Sequence, residues 1–250
     1  MDKTFLNKEL KIHKNAYGDD SDSLLFWTKN RNSLKSLYPS ETFFLKPILE
    51  NVDSVLDVGC AAGGSKLFCH EANKHLKYTG IDISDKLIDI AKKTYPGSEF
   101  YVYDGKKIPF NKSKFNLVFS LGVMHHLPHW KNMIHEMINV SNKYTIFDLR
   151  LTLENTLNDP LKYFQEINFN NRNNNNLAIP YLVINLKEFT SYFENNFDKS
   201  RDKVDLYGYY SKPTKFSNIP YENIIMCSVK YEKESKAPGF NLDLNSITKL

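Results

Sequence analysis

Between Val52 and Leu149 the apolar residues come in short β-branched and aromatic runs separated by amphipathic stretches, the rhythm of parallel strands joined by crossover helices. The strand-like runs are VLDV from Val55, YTGID (Tyr78 to Asp82), EFYVYD (Glu99 to Asp104), FNLVFS (Phe115 to Ser120) and YTIFDL (Tyr144 to Leu149). Helical patterns fall between them, beginning near Ser65, running from Asp85 to Tyr95 with Ser84 as N-cap and Pro96-Gly97 as stop, and repeating as the stripe Trp130, Met133, Ile134, Met137 and Ile138. Upstream, Leu24, Trp27, Arg31, Leu34 and Tyr38 recur at spacings of three and four, which predicts a helix from Ser21 that breaks at Pro39-Ser40 before a second helix, Glu41 to Glu50. Downstream, a helix over Leu186 to Asn196 and two strand-like runs, Val204 to Tyr210 and Asn223 to Tyr231, predict a terminal hairpin. The rhythm breaks from Arg150 to Asn185, where the polar tract NFNNRNNNN (Asn168 to Asn176) has little capacity to bury surface and reads as an exposed loop in an inserted cap.

The junction of the first strand and first helix carries the candidate chemistry. Asp57 ends the apolar run, and Gly59, Gly63 and Gly64 interrupt the chain before Ser65. Glycines at such a turn let backbone approach a ligand closely. About twenty residues on, a second strand ends in a carboxylate, Asp82, where a ribose diol would be held. Gly59, Ala61 and Gly64 approximate the dinucleotide fingerprint, so a nicotinamide-linked oxidoreductase is one reading. Asp57 argues against it, because an acid there repels a diphosphate and attracts an ammonium group.

The pattern D-x-G-x-x-x-G followed by a strand-end acid resembles the class I S-adenosylmethionine-dependent methyltransferases, and the resemblance is continuous from about Val52 to Leu149. It implies an α/β fold: a seven-stranded, mostly parallel sheet with helices on both faces, N-terminal helices and a cap insertion. S-adenosylmethionine is the implied cofactor, with Asp57, Gly59, Cys60, Ala61 and Gly63 of the turn, Asp82 and Ile83 at the ribose, Asp104 and Gly105 at the adenine, and Ser120 and Leu121 leading into the loop over it. Ala61 departs from the glycine that many members have. Arg31, a charge on an apolar stripe, stacks on Trp27, answers the methionine carboxylate of the cofactor, or snorkels to the surface. Asp82 and Asp104 also have local readings, as a helix-start acid and a turn aspartate.

The loop LGVMHHLPHW faces the acceptor in relatives, and histidine titrates near neutrality, so His125 or His126 is the candidate general base; the sequence does not separate them. The spacing of His125, His126, His129 and His135 matches no zinc signature, and no metal is expected. Where nucleic-acid amino methylation would require an Asn/Asp-Pro-Pro-aromatic motif after the fourth strand, Ser120-Leu121-Gly122 stands instead. A small-molecule acceptor remains by elimination, an oxygen foremost. RNA or protein methylation and a non-catalytic cofactor-binding module are the alternatives.

Composition adds bounds. With 250 residues, 41% hydrophobic and 25% charged, the chain suits a single soluble domain: a helical arm over 1–50, a cofactor core over 51–149, a cap over 150–185, a helix and hairpin over 186–231, and an irregular tail over 232–250. A dispersed net charge of +4 leaves no basic stripe of the kind nucleic acid selects. No apolar run is long enough to span a membrane, the charged start lacks a signal-peptide core, and three cysteines without metal spacing fit reduced thiols in a cytoplasmic protein.

Overall fold

A computed structural model describes residues 31–167, 177–242 and 247–248. The core alternates as the apolar rhythm predicts: β1 (Ser54–Val58), α2 (Ser65–Ala72), β2 (Lys77–Asp82), α3 (Asp85–Thr94), β3 (Glu99–Val102), β4 (Phe115–Ser120), α4 (Trp130–Val140) and β5 (Ser141–Thr152), preceded by α1 (Pro39–Leu49). A hairpin, β6 (Phe164–Ile167) and β7 (Leu177–Pro180), follows, then β8 (Ile184–Asn185), α5 (Leu186–Asn196), β9 (Lys203–Ser211), β10 (Ile224–Glu232), β11 (Gly239–Asn241) and β12 (Ile247–Thr248).

The strands form one ten-stranded sheet whose main path runs β11-β9-β10-β5-β4-β1-β2-β3, with β12 on β9 and β8 on β5. β1 pairs in parallel with both β2 and β4, so the chain reverses its direction of travel across the sheet at β1. That reversal opens a crevice at the carboxyl ends of the strands, where open α/β sheets bind ligands. β10 runs antiparallel between β5 and β9, the reversed strand expected of the terminal hairpin.

Two hydrophobic layers flank the sheet. One holds Val118, Phe147 and Leu149 against α4 and α5; the other holds Val55, Phe119 and Ile146 against α1 and α2. Local chemistry sets the helix ends. Ser84 Oγ accepts from the amide of Leu87 at 3.3 Å to cap α3, and Glu41 accepts from the amide of Tyr38 at 2.8 Å at the start of α1.

Several sequence expectations are corrected. The predicted helix from Ser21 does not reach Tyr38: Arg31 sits at φ 50°, Ser33 is extended, and Leu34–Ser36 makes one 3₁₀ turn. Ser33 and Ser36 exchange local hydrogen bonds that compete with helix continuation. The earlier part of that stripe, with Leu24 and Trp27, lies outside the described residues, as does the Asn168 to Asn176 tract. The sheet adds three strands to the expected seven: β8, from the end of the insertion, pairs in parallel with β5, and the stretch expected to be an irregular tail adds β11 and β12 in parallel to the edge of β9. Phe240 packs against the core there, which supplies the apolar anchor. The insertion holds the antiparallel β6–β7 pair, and its Leu157, Tyr181 and Val183 form a small core together with Ile224 of β10. No helix among the described residues is long and apolar enough to cross a membrane.

Candidate cofactor cleft and the histidine loop

The cleft opens where β1 ends. Gly59 (φ 81°) and Ala61 (φ 48°) turn the backbone sharply, and the amides of Gly59 and Cys60 both donate to the carbonyl of Ile81, at 2.8 and 3.0 Å. A Cβ on Gly59 would lie 2.4 Å from Cγ2 of Val123, so the loop after β4 crosses where only glycine leaves room. The resulting cavity, about 880 Å³ including its open mouth, is lined by Arg31, Asp57, Gly59, Cys60, Ala61, Asp82, Ile83, Gly105, Leu121 and His126 among the expected residues. Gly64 and Ser65 of the same turn, Gly122, Val123 and Leu127 of the loop after β4, and Tyr103 also line it, beyond the residues singled out for the cofactor.

Its floor is acidic. Asp57 is buried, with Oδ2 accepting from the Tyr78 hydroxyl at 2.6 Å; burial pushes its pKa up to about 7, against the pull of the Tyr78 and Ser65 hydroxyls. Asp82 accepts from the amide of Ala61 through Oδ2 and from that of Ser84 through Oδ1, both at 2.9 Å. Burial raises its pKa too, opposed by these backbone bonds. Two carboxylate oxygens offer about four lone-pair positions, so Asp82 retains capacity for a diol after bracing the turn.

The opposite wall is the loop from Leu121. Gly122 (φ 73°) donates its amide to Asp148 Oδ1 at 2.6 Å, and its Cα faces the Arg31 guanidinium so closely that a Cβ would meet Nη1 at 2.8 Å. Arg31 is held by an ion pair to the fully buried Glu41 at 3.0 Å and lies over Tyr38, 5.4 Å from its ring centre. Among the described residues its aromatic partner is Tyr38; Trp27, the partner the stripe suggested, lies outside them. The burial of Glu41 that makes this pair strong could not be read from its place at a predicted helix start.

The histidines separate in the structure. His126 lines the cleft, and its Nδ1 lies 2.6 Å from the carbonyl of Pro180. A carbonyl only accepts, so Nδ1 carries the proton and, in the neutral ring, Nε2 holds the basic lone pair. His125 lies behind it, ring centres 4.0 Å apart, buried with its pKa well below the usual histidine range through burial and the nearby cations Arg150 and Arg31.

Four expected residues stand off the cleft. Gly63 packs on Phe100, which a Cβ would meet at 2.8 Å. Ser120 is buried, donating from Oγ to the Val58 carbonyl at 2.8 Å. Asp104 accepts from the amides of Lys106 and Lys107 as a turn aspartate, and these bonds hold its pKa below the usual carboxylate range despite some burial. His125 is the fourth. Tyr163, Phe164, Ile179, Tyr181 and Leu182, apolar and aromatic residues of the insertion, do not lie on the cleft wall. Tyr181 reaches it indirectly, edge-on to both His125 and His126.

These features suit S-adenosylmethionine. The glycine cradle leaves no room for a side chain, Asp57 is a buried acid awaiting a cation, and Asp82 stands at the end of the neighbouring strand.

Comparison with known proteins agrees. Residues 55–143 match the family model of a methyltransferase domain. The phthiotriol/phenolphthiotriol dimycocerosates methyltransferase of Mycobacterium tuberculosis is 30% identical over 88 residues, 34% of this chain and 33% of that protein. The demethylmenaquinone methyltransferase of Thermotoga maritima is 35% identical over 72 residues, 28% of this chain and 31% of that protein. The matched stretch thus spans about a third of these relatives' length. Two solved structures share the fold: a SAM-dependent methyltransferase of Methanosarcina mazei (TM-score 0.53, 19% identity, 79% of this chain and 98% of that one) and a Pyrococcus horikoshii protein (TM-score 0.52, 18% identity, 86% and 100%). The family model falls on the glycine turn and the fold is shared over most of the length: residues 55–143 are a methyltransferase domain, on the fold of S-adenosylmethionine-dependent methyltransferases.

Proposed function

We propose that the protein transfers a methyl group from S-adenosylmethionine to an oxygen of a small-molecule acceptor, with His126 as general base. The observation that carries this reading is the placement of His126 on the cleft wall with Nδ1 committed to the Pro180 carbonyl. When bound, the cofactor supplies an electrophilic methyl on a sulfonium, which becomes a neutral thioether as the carbon–sulfur pair departs. Asp57 receives the ammonium end, Asp82 the ribose hydroxyls, and Arg31 with the Gly122 turn borders the carboxylate end. His126 Nε2 takes the proton of an acceptor hydroxyl as its oxygen bonds to the methyl carbon.

Proximity and orientation supply roughly 7–11 kcal/mol of such a barrier, and a positioned base adds about 10²–10⁴ in rate. The first is the task of the turn and the loop; the second falls to His126. By their names, the relatives above act on phthiotriol and phenolphthiotriol dimycocerosates and on demethylmenaquinone, small molecules rather than nucleic acid or protein. A test is incubation of the purified protein with deuteromethyl-labelled cofactor and fractionated cell extract, followed by mass spectrometry. Label in a small metabolite at a carbon–oxygen bond is expected. Label confined to RNA or protein, or none at all with cofactor bound, overturns the reading in favour of its alternatives.

A further inference from the structure

β5 buries two charged residues, Asp148 and Arg150, two positions apart and therefore on one face of the sheet, the face toward α1 and Arg31. Both are buried, and Arg150 Nη1 donates to Asp148 Oδ2 at 2.9 Å and to the Leu149 carbonyl at 3.1 Å. The Tyr181 hydroxyl is a further hydrogen-bond partner. Asp148 gives its other oxygen to the Gly122 amide in the cleft wall, so the pair is joined directly to the cofactor cleft.

The Nε–H of Arg150 has no acceptor among the described residues. Two other buried polar atoms without a partner lie around it: Ser228 Oγ, on the residue directly opposite Asp148 in β10, and His125 Nδ1, on a ring within electrostatic reach of Arg150. A buried donor left unpaired costs about 1–3 kcal/mol, more when charged, and folded proteins carry few such groups. None of the three has a partner among the described residues, and their grouping beside a ligand cleft points to a partner from outside those residues.

The chemistry of the three selects that partner. An arginine Nε–H only donates, and a serine hydroxyl readily does, so the ligand must present accepting oxygens. A cationic group offers no lone pair to these donors, and an apolar one leaves them unmet. A guanidinium edge matches a carboxylate in charge and shape. We propose that Arg150 and Ser228 anchor a carboxylate of the methyl acceptor, with His125 packed against it, so that the acceptor is an organic acid held beside His126. This deepens the methyl-transfer reading and rests on it only in calling the ligand the acceptor.

The test is calorimetric titration of the protein, loaded with S-adenosylhomocysteine and unloaded, with benzoate, hexanoate, succinate and tricarballylate, each against its amide. At least one acid is expected to bind about tenfold more tightly than its amide. Arg150→Lys keeps a cation against Asp148 but loses the fork, and should weaken that acid about tenfold while leaving S-adenosylhomocysteine affinity unchanged. Ser228→Ala, which leaves the ion pair intact, should weaken it less and in the same direction. Acids and amides binding alike, no acid binding at all, or a preference surviving both substitutions overturns the proposal. Failure of S-adenosylhomocysteine to bind while an acid still binds the unloaded protein counts against the methyl-transfer reading and not against the anchor.

Discussion

His126 donates from Nδ1 to the carbonyl of Pro180 at 2.6 Å, and His125 answers through its own carbonyl, which accepts from the Leu182 amide at 2.7 Å. Two adjacent histidines thus latch the loop after β4 to the chain leaving the β6–β7 hairpin, but only one of them turns its ring to the cleft. Replacing His126 by Gln should lower kcat by about 10²–10⁴ for a hydroxyl acceptor, with the affinity for S-adenosylhomocysteine little changed. Single-turnover kinetics beside calorimetry separates the two effects. His125→Gln should leave the pH profile of kcat in place, since that ring is buried and neutral.

Two glycines of the turn make a contrast that binding and melting curves can read. Gly59→Ala places a Cβ 2.4 Å from Val123 in the cleft wall, whereas Gly63→Ala drives it into Phe100 beneath the turn, at 2.8 Å. Both positions have positive φ, so both variants lose stability. Only Gly59→Ala should also weaken S-adenosylmethionine, by about tenfold or more, because a misplacement of the order of 1 Å at a ligand cradle is costly. Equal loss of affinity in both would show that Gly63 shapes the cleft as well.

The parts of this arrangement that follow from periodicity and turn chemistry are legible in the sequence, and the long-range polar pairs are not. FNLVFS gives β4 over Phe115–Ser120 and the stripe from Leu186 gives α5 over Leu186–Asn196, each with its sequence-predicted bounds. Asp57, Gly59 and Asp82 fall together at the cleft because the βα rhythm fixes where strands end. Glu41 and Asp148 lie on other elements, and their pairing with Arg31 and Gly122 depends on tertiary packing that no local pattern encodes. One signal was present: Asp148 and Arg150 alternate as charges within the apolar run FDLRL, on one face of a buried strand. Charges there are rarely neutral to function. Asp104, by contrast, had a turn explanation from the start, and its carboxylate is committed to that turn.

Ala61 occupies φ 48° where a glycine would sit without strain. The left-handed region costs a residue with a Cβ about 1–2 kcal/mol, while glycine loses about 0.4–1 kcal/mol through a freer unfolded chain. Ala61→Gly should therefore stabilise by about 0.5–1 kcal/mol, or roughly 1–4 °C in Tm for a chain of this size. The Ala61 amide still donates to Asp82 in either case, so cofactor affinity should hold or improve. A drop in Tm would mean that the methyl group packs favourably in the cleft.

Asp57 ties cofactor binding to pH. Burial raises its pKa in the folded, unliganded protein from 3.8 to about 7, so the folded state binds more protons than the unfolded one between those values. Its contribution to stability is fully present below about 4 and is lost as pH rises through about 7. An ammonium ligand needs the ionised form. Cofactor affinity should rise with pH up to about 7 and then level, falling about tenfold per pH unit below that point, with proton release on binding measurable as a buffer-dependent heat. Asp57→Asn should abolish this dependence and raise the melting temperature of the free protein at pH 8. A flat affinity between pH 5.5 and 7.5 would place the ammonium elsewhere.

Removing the charge of Arg31 tests its role only if Glu41 is treated with it. Glu41 is fully buried, accepts from Arg31 and from the Tyr38 amide, and anchors the start of α1. Arg31→Met alone strands that carboxylate. Breaking a buried pair typically costs about 3–5 kcal/mol, and the loss here should sit near 3 kcal/mol because Glu41 keeps its backbone donor and can take up a proton. The double variant Arg31→Met with Glu41→Gln removes both charges at once, so most of the stability should return. Cofactor affinity then becomes the informative quantity: it should remain weakened in the double variant if Arg31 faces the methionine carboxylate across Gly122, and should recover with stability if the guanidinium serves only to hold α1. Melting curves and calorimetry on wild type, both single variants and the double variant close this cycle.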